Sequence, residues 1–237
     1  PGVSVTAVIQ LGSIAAVIAY FRSDLQQVLR GISHAVGRGQ WREPEARLGL
    51  AMAVGTVPIL VAGFLIKVFW PGYSTSPLRS VPSIAVVSIV MALLLALAEK
   101  LGPRLKTLPQ VQGRDGLVVG LAQALAIIPG VSRSGSTLTA SLFDGWQRAD
   151  AARFSFLLGI PAITIAGLVE LKDAVADPNT GGVLPLLVGI VSAAVVSWLA
   201  IDWLIRYLQR HSTWIFVAYR LLFGVALLAW WATAAPN

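Results

Sequence analysis

The chain has 237 residues, 56% of them hydrophobic and only 12% charged, against about 25% charged in an ordinary soluble domain. A soluble fold of this length cannot bury that much apolar surface, so lipid is the expected solvent. The net charge of +7 does not argue for nucleic acid, because the basic residues sit in short gaps between apolar runs, as membrane topology requires. With no Cys, disulfides and thiolate metal sites are excluded. Two His are too few for most zinc sites, though carboxylates could hold a hard cation.

A bilayer span needs about 20 predominantly apolar residues. The first candidate is 3–21, with Gln10 as its one strongly polar member. Residues 22–42 form a polar connection in which Leu25, Val28, Leu29 and Ile32 recur at helical spacing. That pattern predicts a short interfacial amphipathic helix. Further spans are expected at 47–69, interrupted by Pro58, at 81–98, at 152–171, with Pro161 inside it, at 183–205 and at 215–231. Neighbouring helices can satisfy the backbone groups that these prolines free.

The segment 116–143 is different. Its first apolar run, 116–128, has only 13 residues, about 20 Å as a helix against about 30 Å of hydrocarbon. Pro129-Gly130-Val131-Ser132-Arg133-Ser134-Gly135-Ser136-Thr137 then breaks it, and 138–143 is a second short apolar run. One kinked span and a re-entrant helix–loop–helix both fit this pattern. Loop charge separates them. With a re-entrant segment, 13 Lys and Arg fall on one side and 3 on the other, with Arg133 and Arg220 left in the membrane. With a spanning segment the split is 10 against 6. The positive-inside bias favours the re-entrant form. Trp70, Trp230 and Trp231 are then expected at the outer interface, and Trp41, Trp146 and Trp214 at the inner one.

Residues 11–19 can be laid on 158–166 with five of nine positions identical, at an offset of 147. With the re-entrant topology, these two spans run in opposite directions, which predicts inverted repeats. The expected fold is therefore all-α and polytopic, a single membrane domain over 1–237. It has six transmembrane helices, an incomplete first repeat at 1–99 and a second repeat at 116–231. The same offset puts the first half's counterpart of 129–135 before Pro1. An absent N-terminal segment with its own re-entrant loop is the expectation.

The 129–137 stretch has the chemistry of an anion cradle. A charged residue in mid-membrane marks a functional site by default, and Arg133 is one. Gly130 and Gly135 permit close backbone approach, and successive N–H groups in such a turn can form an anion-binding nest. Ser134 or Ser136 can cap the following half-helix, whose N-terminus adds partial positive charge. No carboxylate in the stretch repels an anion. The structural alternative is a plain helix break, with Arg133 paired to an acid elsewhere.

Pro129-Gly130-Val131-Ser132-Arg133-Ser134-Gly135 resembles the Pro-Gly-X-Ser-Arg-Ser-Gly motif of the undecaprenyl-diphosphate phosphatases, the bacitracin-resistance type. The flanks Gly120-Leu121-Ala122-Gln123-Ala124-Leu125-Ala126 and Ala151-Ala152-Arg153-Phe154-Ser155-Phe156-Leu157-Leu158 are similar to the family as well. So is Val8-Ile9-Gln10-Leu11-Gly12-Ser13-Ile14-Ala15-Ala16-Val17, which resembles the first span after the family's N-terminal motif. The resemblance implies hydrolysis of a polyprenyl diphosphate lipid to the monophosphate, in lipid-carrier recycling for cell-wall synthesis at the bacterial cytoplasmic membrane. It implies that Arg133 binds the diphosphate and stabilises developing charge, with Ser132 and Ser134 as hydrogen-bond donors or nucleophile. Gly130, Gly135, Ser136 and Thr137 would shape or line the substrate site. A divalent cation, Mg or Ca, is expected from the family, and the resemblance leaves room for a homodimer.

The sequence departs from the family in lacking the N-terminal motif with its paired Glu and nearby Ser and His, so the chain as given is expected to be catalytically deficient. Glu99, Asp144 and Glu170 offer no local substitute. His34 and His211 are expected to be solvated, and Arg220 to snorkel to the interface. A transporter or flippase for a lipid-linked anion is the alternative reading, since inverted repeats with half-helices are also a transporter design.

Overall fold

The computed structural model of the chain describes residues 3–175 and 183–234. The side chains of Glu170 and Lys172 lie outside the described set. Among the described residues there are nine α-helices: α1 (Val3–Tyr20), α2 (Arg22–Arg38), α3 (Pro44–Phe69), α4 (Val81–Leu101), α5 (Gly113–Ala124), α6 (Arg133–Phe143), α7 (Arg148–Val175), α8 (Val183–Arg210) and α9 (Trp214–Ala234). Five helices, within α3, α4, α7, α8 and α9, are long and apolar enough to cross a membrane. The fully described part of α1, Ile9–Tyr20, is apolar but shorter. Pro58 and Pro161 sit inside α3 and α7 without ending them.

The surface carries large apolar side chains along whole helices, among them Val57, Val61 and Phe64 of α3 and Val191, Val195 and Leu199 of α8. In water such a surface would aggregate; in lipid it is solvated. The chain is a polytopic all-α membrane protein. The amphipathic α2 buries Val28, Gly31 and Ala35 against α3 and leaves Leu29 and Val36 outward. Trp41, Trp70, Trp214, Trp230 and Trp231 are about half exposed near helix ends. Trp146 is a correction to the sequence expectation. It is fully buried, stacked on Phe154 with centroids 5.0 Å apart, and its indole N–H donates to Asp144 at 2.9 Å. It is a core residue because its one polar atom finds an acceptor in the partly buried Asp144.

The break at 125–132 makes a hairpin. The Lys106 ammonium donates to Asp115 at the start of α5 (2.6 Å) and to Asp144 just after α6 (2.9 Å). One side chain touches both ends of the segment, so the segment returns to the side from which it left. The same end gathers the C-terminus of α4 and the N-termini of α7 and α9 through Glu99. This buried carboxylate accepts from Arg104, Arg148 and the Thr213 hydroxyl. At the opposite end of the hairpin, the Tyr73 hydroxyl, on the α3–α4 connection, donates to the Ile127 carbonyl at 2.5 Å.

Small residues let the hairpin seat deeply. Gly116 and Gly120, one turn apart on α5, lie directly on the backbone of Ala51 and Gly55, one turn apart on α3, with no room for a Cβ. Such small-residue faces are how helices pack closely in lipid, where no hydrophobic effect drives them together. α6 is then held between α4, α5 and α7, which fixes its N-terminus in the middle of the helix bundle.

Candidate functional site, an arginine-flanked turn

The chain reaches the turn through a 3-10 turn at Leu125–Ile127. Pro129 cannot continue a helix. Gly130 follows at φ +92, and a Cβ there would lie 2.6 Å from the Ile84 carbonyl oxygen, so both the conformation and the space require glycine. Ser132 is in the left-handed region at φ +65, which costs a non-glycine residue roughly 1–2 kcal/mol. It is held there as the N-cap of α6. Its hydroxyl oxygen accepts from the Gly135 N–H at 3.3 Å, and its carbonyl accepts from the Ser136 N–H. The capping role expected for Ser134 or Ser136 thus belongs to Ser132. As the first two residues of α6, Arg133 and Ser134 have amides with no partner among the described residues.

The Ser132 and Ser134 side chains are exposed and line one cavity with Gly130 and Gly135. Ser136 and Thr137 lie elsewhere. Both are buried one turn further on, where Ser136 donates to the Arg133 carbonyl at 2.9 Å and Thr137 shares a 2.5 Å hydrogen bond with Ser155 of α7. They brace α6 and do not line the cavity.

Arg133 leaves the turn toward α7, where its guanidinium lies on the bare Cα of Gly159. Among the described residues it has no carboxylate or hydrogen-bond partner, so pairing with an acid is not what holds it there. Arg220 is the second correction. Only 8% exposed, it does not snorkel. It points from α9 into the site, donates to the Gly130 carbonyl at 2.6 Å and lies over Gly135. Six residues into α9, it sits about 9 Å along the helix, and the turn offers it an acceptor at that depth.

The cavity, about 500 Å³, is polar on the turn side and apolar elsewhere. Ile84, Leu95, Phe156, Leu204 and Phe223 come from four helices, α4, α7, α8 and α9. Ser88 of α4 and Ser155 of α7 add hydroxyls. Among the described residues no Asp, Glu or His lines it. Glu99 is held by its arginines at the base of the bundle. His34 is exposed beside Glu43, and His211 is exposed, stacked on Tyr207. Among the described residues no group of three or more His, Asp or Glu could hold a metal ion. The donors at the turn are the Arg220 guanidinium, hydroxyls and N–H groups; the Arg133 guanidinium, turned against α7, is not among the cavity-lining groups. This set suits an anion and does not fit the divalent cation that the resemblance implies.

Sequence reasoning missed Arg220, Ser88, Ser155 and Gly159. The signal for Arg220 was present, because the rule that marks an intramembrane charge as functional applies to it as it does to Arg133. Nothing in the sequence marks Gly159, whose significance comes from Arg133 folding across it.

The family model described as bacitracin resistance protein BacA matches residues 1–226. A protein of Synechococcus sp. (strain WH7803) named undecaprenyl-diphosphatase is 80% identical over 237 residues, all of this chain and 83% of that protein. Proteins of the same name from Prochlorococcus marinus (strain MIT 9303) and Parasynechococcus marenigrum (strain WH8102) are each 78% identical. They match 100% and 98% of this chain, and it covers 81% of each of them. The family match spans the turn, both arginines and the helices that place them, and the chain belongs to the bacitracin resistance protein BacA family.

Proposed function

We propose that the protein hydrolyses undecaprenyl diphosphate to undecaprenyl phosphate and inorganic phosphate, acting as a multi-pass enzyme of the bacterial cytoplasmic membrane. The observation that carries this reading is the turn itself. The Arg220 guanidinium, two free amides and the N-terminus of α6 converge where an apolar cavity begins, and the Arg133 guanidinium lies close by against α7; neither arginine has a carboxylate partner among the described residues. That combination suits an amphiphile with an anionic head and a hydrocarbon tail. The name shared by the relatives favours hydrolysis over transport.

In this reading the amides of Arg133 and Ser134 and the hydroxyl of Ser134 donate to phosphate oxygens. The Ser132 oxygen accepts from the Gly135 N–H, an interaction that uses a lone pair and leaves the hydroxyl proton available to donate. Arg133 and Arg220 stabilise the charge that grows on the leaving phosphate in the transition state. A hydroxyl nucleophile needs a base, and among the described residues none lining the cavity supplies one, so these residues bind and polarise. A divalent cation remains an expectation of the family, and no step here relies on it. We further propose six spans, counting α1, which is 18 residues long and about 27 Å as a helix. The Arg-rich ends then face the cytoplasm.

The test is phosphate release from purified undecaprenyl diphosphate in detergent, with the parent chain and Arg133→Ala compared in otherwise full-length protein. Loss of at least about a hundredfold in Arg133→Ala is expected. Unchanged release would sink the assignment of the turn.

A further inference from the structure

Gly159 lies in the interior of α7, where only proline is a poorer helix former than glycine. A methyl group built on its Cα would overlap the Arg133 guanidinium, meeting Nη1 first. Arg133 is otherwise untethered among the described residues, with no carboxylate and no hydrogen-bond acceptor at its head. Its position is therefore set by shape alone, by the gap that a missing side chain leaves in α7. Arg220 has the same arrangement on the other flank of the turn. A Cβ on Gly135 would fall 2.5 Å from its Nη1, but Arg220 also has the Gly130 carbonyl to hold it.

We propose that Gly159 is a positioning residue of this site. Its bare Cα surface lodges the Arg133 guanidinium against α7, the helix whose Ala152, Ser155 and Phe156 line the cavity, and so sets the direction from which this second cation acts on an anionic head group held at the turn. The inference rests on the diphosphate reading above. It follows from the sensitivity of such sites to displacement, where a shift of about 1 Å in a charge-stabilising group costs on the order of a hundredfold in rate. An alanine at 159 forces the arginine head out of its lodging while leaving every hydrogen bond of the turn intact.

The experiment is a double-mutant cycle in the full-length protein, with undecaprenyl diphosphate as substrate and thermal unfolding in detergent as control. Gly159→Ala is expected to lower kcat/KM by more than about tenfold, in the same kcat-to-KM proportion as Arg133→Ala. The double variant Gly159→Ala/Arg133→Ala is expected to be no slower than Arg133→Ala alone, because the seat has no purpose once its occupant is gone. In that background alanine is also expected to raise the unfolding midpoint, since it is the better helix former. Additive losses in the double variant, or an active Gly159→Ala beside an inactive Arg133→Ala, would overturn this role and leave the diphosphate reading intact. An active Arg133→Ala would overturn the diphosphate reading itself.

Discussion

Replacing Arg220 tests the site through the residue whose contacts are best defined. Its Nη2 donates to the Gly130 carbonyl at 2.6 Å, and the side chain is only 8% exposed. A hydrogen bond with one charged partner contributes about 1.5–3 kcal/mol net. If that free energy is expressed in the transition state, it corresponds to a factor of about 10 to 150 in rate. Arg220→Ala should therefore lower kcat/KM for undecaprenyl diphosphate by at least about tenfold. Arg220→Lys should recover little, because a single ammonium cannot both reach Gly130 and spread over Gly135 as a planar guanidinium does. Phosphate release at several substrate concentrations gives kcat and KM separately, and thermal unfolding in detergent reports any loss of fold. Should Arg220→Ala stay within about twofold of the parent in kcat/KM while its unfolding midpoint drops, Arg220 is a structural staple for the turn. The argument from its burial and direction is then wrong.

Three further outcomes follow from the packing. Lys106 is pulled two ways. Burial works against its ammonium, but hydrogen bonds and charge from Asp115 and Asp144 outweigh it and hold its pKa above the ordinary lysine value. A group raised on folding stabilises fully below its unfolded pKa, about 10.4 for lysine, and loses that contribution as pH rises through the folded value. The unfolding midpoint of the parent should thus fall above about pH 10.4 more steeply than that of Lys106→Met, and parallel curves would refute the linkage. Glu99→Gln should destabilise by about 1–3 kcal/mol, because it strips the shared carboxylate from two arginines that are themselves only partly exposed; a midpoint equal to the parent's would contradict it. Ser132→Ala should cost about 1 kcal/mol through the lost cap and reduce activity. Ser132→Gly should be the less destabilising of the two because it relieves the backbone at φ +65, and the reverse order in thermal unfolding would show that the strained cap is not as described.

Much of the fold was legible in the sequence because it depends on composition and period. Spans announce themselves by twenty apolar residues, and each of the five long apolar helices covers an expected segment, extended at its polar ends by a turn or so. The hairpin at 116–143 was foreseeable from run length and loop charge, since a half-length helix cannot cross the bilayer. The 129–135 motif carried the family.

The site's inner geometry was not legible, because its contacts join residues far apart in sequence. Trp146 looks like an interfacial anchor until Asp144 and Phe154 close around it. Ser136 and Thr137 look like ligands until the α6 helix turns their hydroxyls onto its own carbonyls. Arg220 is 90 residues from its acceptor Gly130, and only the packing of α9 beside α4 brings them together. Gly159 is ordinary in sequence and becomes distinctive only when Arg133 folds across it. The sequence by itself determined a lipid-solvated helical bundle with a cationic, glycine-bounded break, because solvent choice and helix breaking are local properties of the chain. Tertiary structure decided which charges face that break, because the direction of an arginine is set by the free space and the acceptors that other helices leave around it.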